Sequence, residues 1–451
     1  MQMAIEIEQR IRGRRLRKFD LGSLLNKSIW GLCDQASISA SNFITTVILA
    51  RHLSPTDFGA FALLYAAVFF TISLQTTLVS RPHNVIGATR QGTEYRRYTT
   101  VTAVSQVCFT AMFAFVTLAA AVVAQRVAWG IAPLLFILAP AVAAWQLQEF
   151  VRRVLYTEGR LRAAFANDLI SYGGQAVGIV VLGRFGQLTG ARALAVIALT
   201  SAIAAGWGWW QIKGSLIRQG IWKAVRENGF AENWRFGKWL FGAALATSIV
   251  GQLYPILIGG MVSIAEAGAF SAVFTLMGPA RILLIAMDTA LVPVAARAFA
   301  ETGEPGLQSF VARIFLATAP IIVAYCVLVS FFATRILVAA YGDHYRPYGW
   351  LLILLALSYA LDYLRHPISI ALEARRASAP IFRAYLLASI VVLTAGVAAV
   401  RFLGLWGAAL GTIANSLILG IMLWYYYHHI AATPISEATQ SSGERERVHN
   451  G

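Results

Sequence analysis

The sequence predicts an all-α integral membrane protein of about twelve transmembrane helices, built as two six-helix lobes with both termini in the cytoplasm. Three observations predict it: apolar composition, the placement of the basic residues, and a short motif that occurs twice. Hydrophobic residues make up 58% of the 451-residue chain and charged residues 13%, about half of the roughly 25% usual in soluble domains. Mean hydropathy is +0.64. The apolar runs reach the ~20 residues that a helix needs to cross the hydrocarbon core. They are continuous rather than alternating, which excludes a transmembrane β-barrel.

Twelve spans can be drawn, at roughly 28–50, 59–80, 99–124, 129–148, 164–183, 193–212, 239–261, 267–289, 312–333, 347–364, 381–400 and 405–427. With the N-terminus inside, 29 of the 37 Lys and Arg fall on cytoplasmic segments and 7 on outer loops, while Arg281 lies within a span. This is the bias of the positive-inside rule. The net charge of +16 is thus explained by loop placement and does not point to nucleic acid. The basic stretch Arg10–Lys18 reads as a topology anchor or as a patch for anionic lipids. The apolar span after it is long, contains Asp34 and lacks a clear small-residue cleavage site, unlike a cleaved signal peptide. Cys33, Cys108 and Cys326 all sit in apolar spans and read as small packing residues.

The repeated motif is SPTDFGAF (Ser54–Phe61) and SIAEAGAF (Ser263–Phe270), with matching positions 209 residues apart. Each copy sits between the first and second span of its half. The long connection Gln211–Trp239 divides the spans six and six. The chain therefore reads as a cytoplasmic arm (1–27), an N-lobe (28–212), a connection (213–238), a C-lobe (239–427) and a polar tail (428–451), the lobes being parallel repeats. Within each copy, Ser followed three residues later by an acid forms a helix-capping pattern. The glycine permits close helix contact.

Polar residues inside spans are the best site signal, because ionisable groups are costly in a bilayer. The first span carries Asp34, Gln35, Ser37, Ser39, Ser41, Asn42, Thr45 and Thr46 on roughly one broad side. It either lines a hydrated cavity or bonds to neighbouring helices. Arg281 lies in the eighth span beside Pro279, a residue expected to bend that helix. Arg281 and Asp34 both sit 17 residues from the outer ends of their helices, about 25 Å deep. Arg281 suits an anionic group such as a phosphate; the alternative is an internal ion pair, with Asp34 as the candidate partner. Gln75, Arg81, Asp168 (with Ser171 and Gln175), Gln252, Asp362 and Arg365 complete the candidates for a substrate cavity, and Arg81 and Arg365 read equally as interface markers. His428 and His429 read as interfacial. No hydrolase elbow, phosphate-binding Gly-Lys-Ser/Thr loop or zinc-like cluster occurs, so neither catalysis nor a cofactor is expected.

Four stretches together resemble the polysaccharide-export branch of the multidrug/oligosaccharidyl-lipid/polysaccharide superfamily, which includes O-antigen and exopolysaccharide flippases. They are Asp34–Gln35 followed by Ser41–Phe43, then Ala50–Phe61, Tyr341–Tyr345 and Leu403–Ala409. The resemblance implies two lobes around a central cavity that opens alternately to each side of a bacterial inner membrane. It implies a polyprenyl-diphosphate-linked oligosaccharide as cargo, with membrane lipids and other polysaccharide-assembly membrane proteins as partners and no nucleic acid. Cationic cavity residues would meet the diphosphate, a role that Arg281 fits, and Asp34 is the candidate for proton or ion coupling. The other functions open at this point are a drug or organic-cation antiporter of the same superfamily, and a membrane-embedded polymerase, ligase or glycosyltransferase.

Overall fold

The computed structural model describes residues 21–228, 230–375 and 377–431, which are overwhelmingly helical, with no strand among them. The basic stretch Arg10–Lys18, the polar tail beyond residue 431 and the side chains of Gln252 and Asp288 lie outside the described residues.

The first half contains α1 (Leu21–His52), α2 (Pro55–Gln75), α3 (Arg81–Ile86), α4 (Gly92–Arg126), α5 (Ala132–Thr157), α6 (Leu161–Asp168), α7 (Gly174–Arg184) and α8 (Gly190–Ile212). The connection holds α9 (Ile221–Asn228). The second half contains α10 (Ala231–Met261), α11 (Ile264–Leu276), α12 (Gly278–Phe331), α13 (Ala333–Tyr341), α14 (Gly349–Ala374), α15 (Ser378–Val391), α16 (Val397–Leu403) and α17 (Leu405–Ala431). α12 is two helices joined at Gly303, whose φ of 65° breaks the helical path. π-helical turns at Thr76–Ser80, Leu169–Gly173 and Val392–Gly396 interrupt the second, fifth and eleventh spans.

Nine helical runs among the described residues are long and apolar enough to cross a membrane, and the bent pair α11 with the start of α12 makes ten. α1 and α10, with 32 and 31 residues, stand where the first and seventh spans were expected. The protein is a multi-pass helical membrane protein. Several helices exceed their expected limits. α4, at 35 residues, is about 52 Å long against a hydrocarbon core of about 30 Å, so its ends reach into the headgroup region.

The chain forms two compact units. The first runs to Thr45 and resumes from Gln75 to Lys238; the second takes Thr46–Leu74 and the residues from Trp239 onward. The sequence expectation put residues 46–74 in the N-lobe, whereas in the structure they group with the second half. The repeated motif supplies the physical reason. Ser54 Oγ accepts from Asp57 N–H and Ser263 Oγ from Glu266 N–H, both at 3.1 Å, so each copy caps a helix. The two glycines then meet. A Cβ on Gly59 would collide with the Ile264 carbonyl, and one on Gly268 would lie 2.8 Å from Gly59 Cα. Farther along, a Cβ on Gly259 would lie 2.6 Å from Leu63, and Ser248 Oγ donates to Ser73 Oγ at 3.2 Å. Phe58, Phe61 and Phe270 are buried beside this line.

Candidate functional site

The first unit is organised around a guanidinium. α5 extends nine residues beyond the end expected for the fourth span, to Thr157. Glu149 pairs with Arg152 at i+3 and Arg153 at i+4, a spacing that supports a helix. The helix ends when Gly159 takes φ 70°, with Gly159 N–H on Tyr156 O and Arg160 N–H on Leu155 O, the paired closure of a Schellman motif. Arg152, counted from the sequence as a cytoplasmic-loop residue, is therefore a buried residue of the helix.

Arg152 reaches three carboxylates. Its Nη2 donates to Asp34 Oδ2 at 3.0 Å and its Nη1 to Glu149 Oε2 at 3.0 Å, and its Nε lies 2.6 Å from Asp168 Oδ2. Arg153 Nε holds Glu149 Oε1 at 2.7 Å. Tyr156 Oη donates to Asp34 Oδ2. Gln148 Nε2 donates to Asp168 Oδ1 at 2.6 Å and to Asn167 Oδ1 at 3.1 Å, and Asn167 is anchored on Ala204 O at 2.7 Å. Asp34, Glu149 and Asp168 are all almost fully buried. Asp34 Oδ1 and Gln148 Oε1 are buried and meet no donor among the described residues. Three carboxylates against two guanidiniums leave one surplus negative charge when all are ionised. Buried charge is strongly disfavoured unless balanced; one proton or one monovalent cation balances it.

Sequence reasoning offered Arg281 as the internal partner of Asp34; the structure gives Arg152 instead. It missed Glu149, Arg152, Gln148 and Asn167, although the run QLQEFVRR (Gln146–Arg153) carried the i, i+3 and i+4 signal. Asp34, Ile38, Ser41, Thr45 and Leu49 form the buried stripe of α1. Ser41 Oγ donates to Tyr172 O, inside the π-helical turn, and Thr45 Oγ1 accepts from Gln175 Nε2 at 3.0 Å. Asp168, Ser171 and Gln175 are all buried. Gln75 is buried with Nε2 on Gln146 O at 2.8 Å. Gln35 and Arg81 are exposed and Asn42 is half-buried.

The second unit holds a different arrangement. α11 and α12 meet at a 52° bend. The break is at Met277, and Pro279 occupies the first turn of α12, a position that tolerates its missing N–H. The expected bend is present, but it precedes the proline instead of centring on it. Tyr325 Oη donates to the Leu276 carbonyl at 2.7 Å, capping a group freed by the break. Arg281 follows one turn later. It is exposed, forms no salt bridge with a described residue, and interacts electrostatically with Tyr359 of α14, as does Asp362. Arg365 Nε donates to Asp362 Oδ1 at 2.9 Å and stands over the Tyr385 ring. His366 Nε2 lies 3.2 Å from Leu284 O, tying α14 to α12. Among the described residues, the candidates thus separate into a buried, internally paired set (Asp34, Gln75, Asp168), a partly paired set (Asp362, Arg365), and open polar groups (Arg281, Gln35, Arg81).

Solved structures of membrane transporters share this fold. A multidrug resistance transporter of the MATE family, in an inward-facing conformation, matches with a TM-score of 0.71 and 13% identity over 87% of this chain and 94% of that one. The lipid II flippase MurJ, in an inward closed conformation, matches at 0.68 and 13% identity over 90% and 88%. A superfamily transporter from Pyrococcus furiosus, described as having a binding pocket of reverse polarity, matches at 0.60 and 14% identity over 91% and 96%. No curated protein matches in sequence. Residues 48–349 match the profile of a family described as "Polysaccharide biosynthesis protein". The chain belongs to that polysaccharide biosynthesis protein family, on the fold of the multidrug/oligosaccharidyl-lipid/polysaccharide superfamily.

Proposed function

We propose that the protein is a flippase that carries a polyprenyl-diphosphate-linked oligosaccharide unit from the cytoplasmic to the outer leaflet of a bacterial inner membrane, for assembly of a surface polysaccharide. The observation that carries the reading is Arg281. It is an exposed guanidinium at a broken span, with no carboxylate partner among the described residues, in a chain of a polysaccharide biosynthesis family. A planar fork of donors suits a diphosphate. A cation already paired would have to give up its partner to bind one. The polyprenyl tail stays in lipid.

The buried cluster of the first unit supplies the coupling. Its surplus negative charge accepts one proton or cation, and Asp34, whose Oδ1 meets no described donor, is the candidate for coupling. Binding there reorganises the Arg152 hydrogen bonds and so biases one arrangement of the helices over another. The same cluster favours one second reading, a drug or organic-cation antiporter in which Asp34 meets the cargo cation.

The test uses purified protein in vesicles carrying a lipid-linked oligosaccharide. Arg281→Ala is expected to lower flipping at least tenfold with normal expression, and Arg281→Lys to retain part of it, because charge survives but the fork does not. Full activity of the Ala variant removes Arg281 from the mechanism. Normal flipping by an Asp34→Asn variant excludes the coupling role.

A further inference from the structure

We propose that the connection between the two halves carries a binding site for anionic phospholipid headgroups, formed by Lys223 and Arg226 of α9 with Trp222 inserted beside them. Depth comes first. α9 begins six residues after Ser215, where the sixth span ends. Its Glu227 pairs with Arg97 in the second turn of α4, a helix too long for the hydrocarbon core. Ala224 is the buried face of α9. The connection is fixed at this level by Arg90–Glu232 at 2.6 Å, Tyr98 Oη donating to Asn233 Oδ1 at 2.7 Å, and Ile217 N–H donating to Thr100 Oγ1 at 2.9 Å. α9 therefore lies along the ends of the spans, where phosphate groups of a leaflet sit.

Charge selects the occupant. The acids of the connection are engaged: Glu227 with Arg97 and, at 4.0 Å, Lys223, and Glu232 with Arg90. Arg226 forms no salt bridge with a described residue, and the Lys223 side chain is 80% exposed. Among the described residues, Lys223, Arg226 and Glu227 line an open surface depression. Trp222, next in sequence, is 74% exposed. A short helix with basic residues beside an unburied indole is the chemistry of an interfacial anchor that prefers anionic lipid. A zwitterionic headgroup brings its own cation and gains less from Lys223 and Arg226.

The experiment measures thermal unfolding of the purified full-length protein in neutral detergent while phosphatidylglycerol is titrated in, with lipids counted in parallel by native mass spectrometry. The parent protein is expected to show a saturable rise in midpoint with phosphatidylglycerol that phosphatidylcholine and inorganic phosphate do not reproduce. Each basic residue at a membrane surface is worth about fivefold in affinity, so Lys223→Gln with Arg226→Gln is expected to weaken the response about twenty-five-fold. Trp222→Ala is expected to reduce it, and the exposed Arg346→Gln, in the C-terminal half, to leave it unchanged. An unaltered response in the double variant overturns the site. An equal rise with inorganic phosphate overturns the lipid as its occupant.

Discussion

Arg152→Ala is expected to lose about 3–5 kcal/mol of stability, the range for removing one partner of a buried ionic set. In the parent, Arg152 reaches Asp34, Glu149 and Asp168. Without it those carboxylates share Arg153, which touches only Glu149, and Asp34 keeps only the Tyr156 hydroxyl as a described donor. Thermal unfolding in detergent should show a much lower midpoint or no monodisperse protein. Arg152→Lys should be intermediate, because one ammonium cannot reproduce a three-way fork. The diagnostic variant combines Arg152→Met with Asp34→Asn and Asp168→Asn. Removing the buried charges together is often close to neutral, so most of the lost stability should return. If Arg152→Ala is as stable as the parent, the guanidinium does not organise the first unit.

Gly59→Val is expected to separate α2 from α10 and α11. Backbone atoms of Ile264 and Gly59 occupy the space that side chains at 59 and 268 would need, and backbone does not move aside as a flexible side chain does. Overpacking costs about 1–3 kcal/mol, a roughly five- to hundredfold fall in the population of the close-packed arrangement. Ser73→Cys with Ser248→Cys, in a background lacking Cys33, Cys108 and Cys326, reports it, since the parent hydroxyls are 3.2 Å apart. The pair should cross-link readily with Gly59 in place and slowly once Gly59→Val is added. Equal cross-linking with and without Gly59→Val would mean that the glycine contact does not set the helix spacing.

Much of this was legible in the chain. The membrane-spanning helical character follows from hydropathy, and the Ser-x-x-acid caps from local hydrogen bonding. Both survive because they depend on residues close in sequence. Asp34 and Asp168 also stood out, as carboxylates in apolar segments. Arg152 did not, for a physical reason: a paired buried charge is close to neutral as a group, but a sliding reading of hydropathy sees each charge alone and ends the span at 148. The Gly59–Gly268 contact joins residues 209 apart. The repeat announced that the two positions are equivalent, and only three-dimensional packing brings them into contact and draws residues 46–74 to the second half. Pro279 shows the same limit at short range. The proline signals a break, but the helix stops at Met277 because a proline is best accommodated in the first turn of the next helix.

The proposed flippase activity is tested most directly by extracting lipid-linked intermediates from cells lacking the gene and assaying which leaflet holds them. Complete oligosaccharide units, still on their diphosphate lipid, are expected to accumulate in the cytoplasmic leaflet while surface polymer is lost. Complete units accumulating in the outer leaflet, or a normal pool with altered drug sensitivity, would rule the flippase out.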